Sequence, residues 1–118
     1  MTTAAMLQTT LAACEKASAD DQALWINRAF EIVSWRCRLL SSVITWNPDW
    51  LHLQKLLDLG AFEQAGLMLL PTGATWRITR NLQSSTAIVD HAGTRHGATA
   101  ATPALAMAAA ALQLKAAS

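Results

Sequence analysis

At Pro71-Thr72-Gly73 the hydrophobic period of the chain changes from 3.6 residues to 2, and this switch bounds the folds open to it. Upstream, Ile26, Phe30, Val33, Cys37 and Leu40 recur at helical spacing, and Trp25, Ala29 and Ile32 widen their stripe. Downstream, Trp76, Ile78, Arg80 and Leu82 alternate with Arg77, Thr79 and Asn81, as on a half-buried strand. Helices first, strands next and a last helix make an α+β chain. The expected architecture is a single domain over residues 1–118. It has N-terminal helices, a small antiparallel sheet built on a hairpin at 75–92, and a C-terminal helix. Helices are free to cover both sheet faces, so an α/β/α sandwich is one arrangement of these parts.

Local signals set the boundaries. Leu7, Leu11 and Cys14 define a first helix, and the break Ser18-Ala19-Asp20-Asp21 supplies N-caps for a second over residues 20–41. Ile26, Phe30, Val33 and Leu40 should be its buried edge, with Arg28, Glu31 and Arg38 in water. Ser41-Ser42 ends it. In Trp46-Asn47-Pro48-Asp49-Trp50-Leu51, Asn47 reads as a cap, Pro48 as the first helical residue, and Trp46 with Leu51 as a hydrophobic staple. Gly60 should cap that helix, and a short one over 61–70 should follow. Past the turn at Pro71, Gln83-Ser84-Ser85 separates the first strand from a second at 86–92. Gly93–Gly97 reads as a loop and 98–100 as a short third strand. Thr102-Pro103 opens the last helix, with Leu105, Ala109 and Leu112 as its apolar stripe.

Composition narrows the function classes. Hydrophobic residues make up 53% of the 118 and charged ones 14%, which speaks against a disordered chain. Alanine supplies about a fifth of the residues and favours helix over membrane. The longest apolar run, Ala104–Leu112, is far short of the roughly 20 residues of a span. The N-terminal residues show no basic region leading an apolar one, so no signal peptide is expected, and host cytoplasm is the expected location. Cys14 and Cys37 read as reduced thiols rather than a disulfide framework. A formal net charge of +1 removes the usual electrostatic drive toward nucleic acid.

Three groups of side chains carry candidate chemistry. Asp90, His91 and His96 lie within seven residues of one another and could ligate a metal or form an acid–base pair, although no metal-ligand spacing is present. Arg77, Arg80 and Arg95, with Trp76, could form a basic surface on the hairpin. Residues 64–118 carry four basic side chains against Asp90, a net of +3; residues 1–63 carry five basic against seven acidic, a net of −2. Such polarisation would steer a charged partner. Five tryptophans complete the set. Trp25 and Trp76 fall in buried patterns, whereas Trp35 and Trp50 lie off the best stripes and are either core or interface anchors.

One stretch carries a family resemblance. Leu69-Leu70-Pro71, then Trp76-Arg77-Ile78, then Ala100-Ala101-Thr102-Pro103-Ala104-Leu105-Ala106 before an alanine-rich helix resembles the phage ABA sandwich domain family. The opening Leu11-Ala12-Ala13-Cys14-Glu15-Lys16-Ala17 and Asp20-Asp21 are similar to the same family, while Ser34 to Gly60 match nothing in it. The resemblance implies a small phage or prophage protein with an α/β/α sandwich, and it transfers no catalytic residue. The expectation is therefore a non-catalytic accessory protein without cofactor or metal. It would bind a host protein or nucleoprotein complex, as anti-CRISPR inhibitors of host defence do. Partner-binding candidates are Trp35, Trp50, Arg77, Arg80 and Arg95. No sequence-specific nucleic-acid binding and no membrane are expected, and a homo-oligomer is compatible with the sequence. The alternative is a small metal-dependent enzyme or module using His91, His96 and Asp90.

Overall fold

The alanine-rich C-terminal run forms the helix against which most of the other elements pack. The computed structural model describes residues 3–33 and 48–117. In chain order these form α1 (Thr3–Lys16), a 3-10 turn (Ala19–Asp21), α2 (Gln22–Val33), α3 (Pro48–Asp58) and α4 (Phe62–Leu67). Three strands follow, β1 (Thr75–Arg80), β2 (Ser85–His91) and β3 (Thr94–Ala100), and α5 (Pro103–Ala117) closes the chain. The fold is α+β, as the change of period predicts.

Helix α5 touches α1, α2, α4, β2 and β3. Every residue from Ala104 to Leu112 is buried, and so is Leu114. The sequence reading gives this helix one apolar stripe, whereas the structure buries it all round. Alanine makes this possible, because a methyl side chain lets neighbours approach on every side without a polar face to hydrate. α4 comes close to α5 at Gly66: a Cβ there would lie 3.0 Å from Met107 Cε and 3.3 Å from Ala104 Cα. At the N-terminus of α5, Thr102 Oγ1 accepts the Leu105 N–H at 3.2 Å and donates to Gln22 Oε1 at 3.0 Å, so one hydroxyl caps α5 and ties it to α2.

Ile26, Ala29, Phe30 and Val33 form the buried face of α2, and Arg28 and Glu31 face water. The part of the expected 20–41 helix beyond Val33, with Trp35, Cys37, Arg38 and Leu40, lies outside the described residues. So do Trp46 and Asn47 of the expected staple. Ser18 makes no side-chain cap bond; the chain enters α2 through the 3-10 turn instead. Gly60 behaves as read. Its φ is 74°, its N–H bonds Leu57 O, and the Ala61 N–H bonds Leu56 O, the paired bonds of a Schellman end.

The sheet runs β1-β2-β3, antiparallel throughout. Residues 94–97, read as loop, belong to β3. The β2–β3 turn shrinks to Ala92-Gly93, whose φ values of 52° and 81° suit a type I′ hairpin. Ser85, Ala87, Val89, Ala98 and Ala100 are buried on the face toward α5, and the opposite face has no fully buried side chain. Among the described residues the helices thus cover one face of the sheet: α5 packs on β2 and β3 and also touches α1, α2 and α4, while α1 reaches β3 directly. Trp76 also departs from its expected burial. Its register with Val89 sets it on the α5 side, yet it is 49% exposed because β1 is the edge strand beyond the reach of α5.

Two substitutions test this packing by denaturant unfolding. Phe30→Ala should cost about 3–5 kcal/mol, the cavity cost of a buried ring. Gly66→Ala should cost about 1–3 kcal/mol, because the added methyl meets Met107 Cε first and, once that side chain turns away, still lies 3.3 Å from Ala104 Cα of the α5 backbone.

Candidate functional site

Antiparallel pairing puts directly opposite residues on the same side of the sheet, so the registers sort every candidate side chain by face. The face away from α5 carries three cross-strand rows: Thr75–Asp90–Arg95, Arg77–Ile88–Gly97 and Thr79–Thr86–Thr99. In the first, Arg95 Nε donates to Asp90 Oδ1 at 2.8 Å. That hydrogen bond, and then the carboxylate charge, hold the Arg95 guanidinium protonated beyond its ordinary range. In the third, the Thr86 and Thr99 hydroxyls are 2.9 Å apart. The middle row sets exposed Arg77 beside half-buried Ile88. The result is an open face with exposed Arg77, Arg95 ion-paired to Asp90, a central aliphatic side chain and a border of hydroxyls.

The face toward α5 receives the rows Trp76–Val89–His96 and Arg80–Ser85–Ala100, with His91 and Thr94 at the end of the β2–β3 hairpin. Here the Asp90, His91 and His96 cluster comes apart. His91 and His96 share the helix side, while Asp90 is across the sheet and engaged by Arg95. Strand alternation forces this, since residues 90 and 91 must point to opposite faces. His96 Nε2 is buried with no hydrogen-bond partner. Among the described residues no group of three or more His, Cys, Asp or Glu side chains could hold a metal.

The remaining candidates separate as well. Arg80 pairs with Glu63 of α4, on the opposite side from Arg77 and Arg95. Trp50 is half-buried on α3 and packs against the core, and Trp35 lies outside the described residues. Sequence reasoning missed two features, one on each side of the sheet: the exposure of Trp76 on the α5 side, and the position of Ile88 between the arginines on the other. Only strand order could have shown either one. A concavity of about 420 Å³ lies between α1 and α2, against Met6, Trp25 and Ile32. No described helix is long and apolar enough to cross a membrane.

With the geometry set out, comparison with known proteins adds nothing: no family model, curated protein or solved structure matches the chain.

Cys14 is fully buried, and its thiol is pushed up to about 12, first by desolvation and then by the charge of Glu15. The raised value favours the protonated thiol in the folded state over the unfolded one. Its contribution to stability is therefore intact below the ordinary value of 9.0 and lost as pH rises toward 12. Unfolding midpoints of wild type should fall over that window. Those of Cys14→Ala should fall less steeply, and Cys14 itself should react with a thiol reagent only on unfolding.

Proposed function

We propose that this chain is a small non-catalytic accessory protein of phage or prophage origin that binds a host protein or nucleoprotein complex, in the manner of an inhibitor of host defence such as an anti-CRISPR protein. The observation that carries the binding reading is the open sheet face. It sets Arg77 and Arg95 on either side of Ile88, and arginine with apolar contact area is the composition enriched at interface centres. The net of +3 on residues 64–118 would steer an acidic partner to this side. The phage origin is supported by the sequence resemblance alone. The separation of Asp90 from His91 and His96 lends the metal-dependent alternative less support than the sequence does.

The test joins folding to binding. Wild type, Arg77→Ala and Arg95→Ala are melted and then used to capture partners from host lysate. Both variants should melt with wild type, because both side chains are exposed. Each should lose the species that wild type retains. At Arg77 the loss should reach at least about 2 kcal/mol, roughly thirty-fold in affinity. Two folded variants that capture as wild type does would move the surface elsewhere. A metal-dependent activity abolished by His91→Ala with His96→Ala would replace the binding reading with the enzymatic one.

A further inference from the structure

The two edges of the sheet are finished differently. In an antiparallel ladder, alternate residues of a strand turn both backbone polar groups toward the same neighbour. The Asn81 N–H bonds Ser84 O, so residue 81 faces β2, and so by alternation do 79, 77 and 75. Trp76, Ile78 and Arg80 therefore turn their N–H and C=O groups to the outer edge of β1, where no described strand pairs with them. At the other edge the same alternation turns Gly97 outward, and its carbonyl accepts Gln113 Nε2 of α5 at 2.9 Å, with α1 packed alongside β3. Among the described residues one edge is covered and the other is open. An open edge is a template for another strand.

We propose that the free edge of β1 pairs antiparallel with β1 of a second copy of this chain, about a two-fold axis at Ile78. Three constraints select this partner and register. A two-fold axis normal to the sheet keeps the helix-covered faces of both copies on one side, so residues 76, 78 and 80 must pair among themselves. Setting Ile78 against Ile78 of the second copy pairs Trp76 with Arg80, and Arg80 with Trp76, using every edge-facing N–H and C=O of the strand. Trp76, 49% exposed in the single chain, then meets a guanidinium that Glu63 already holds beside the edge. The register centred on Arg77 sets two guanidinium groups directly opposite, which is unfavourable. The register centred on Thr79 carries Trp76 past the end of the strand. The pair is closed, because among the described residues each copy offers one free edge, and the open faces with Arg77 and Arg95 join into one six-stranded surface.

Sedimentation of the wild-type chain from ~1 μM to ~1 mM should show it approaching twice its 12.7 kDa mass. A chain that stays monomeric across that range overturns the proposal. Ile78→Pro removes an N–H that faces the open edge and takes no part in the bonds to β2, so it should fold by circular dichroism and sediment as a monomer. A folded Ile78→Pro that still dimerises overturns the proposal too. Should that variant fail to fold, single cysteines introduced in a Cys37→Ser background decide. Ile78→Cys should oxidise to a covalent dimer, since residues opposite each other at a two-fold axis lie within disulfide reach, and Arg77→Cys and Thr79→Cys should not. Cross-linking at 77 or 79 in place of 78 rejects the register and the proposal with it. None of these readouts involves a host partner, so they stand or fall apart from the binding reading.

Discussion

The burial of α5 on all sides is the contact on which the rest of this structure depends. An ordinary surface helix buries one stripe and hydrates the other, and its partners lie on one side. Here a run of alanines is flanked by the sheet on one side and by α1, α2 and α4 on the other. Each alanine contributes little apolar area, so along this run the contact is one of backbones brought close together, while Leu105, Met107, Leu112 and Leu114 of the same helix supply its larger buried side chains. Gly66 on α4 and the small residues Ala87, Ala98 and Ala100 of the sheet are the counterparts that permit that approach.

That choice has a consequence for the sheet. One helix covers the width of about two strands, and α5 lies over β2 and β3. β1 is left as an overhang, and the side chains its alternation assigns to the interior are only partly covered: Ile78 is half-buried, Trp76 half-exposed, and Arg80 is paired with Glu63. β3 receives the opposite treatment, with Gln113 and α1 at its outer side. The asymmetry of the edges and the location of the exposed tryptophan therefore follow from where a single helix sits. The face away from α5 is free to stay polar, as antiparallel sheets permit.

The candidate site was only partly legible. Arg77 stood out as an outward residue because strand alternation is a local property, and it is outward. The cluster of Asp90 with His91 and His96 looked coherent because proximity along the chain suggests proximity in space. Once residues 90–96 are a hairpin rather than a loop, alternation divides them between two faces. Residues 94–97 read as loop, and only 98–100 as strand, because Thr94-Arg95-His96-Gly97 offers no apolar alternation. The inward positions of β3 are a threonine, a histidine and two alanines, which weigh little on any hydrophobic scale. Trp50 was ambiguous from its helix alone, and packing of α3 against the core resolves it as half-buried.

What the sequence determined by itself is everything with a short range of cause. The change of period at Pro71, the buried face of α2, the Gly60 end of α3, the β1–β2 hairpin and the Thr102 cap of α5 each depend on residues within a few positions of one another. Tertiary structure alone decided which strand lies at the open edge, which sheet face meets helix, and that the alanine helix has no exposed side. These depend on strand order and helix placement, and so on contacts between residues far apart in the chain. Gln22 with Thr102 and Glu63 with Arg80 are two such contacts, and no local pattern encodes either.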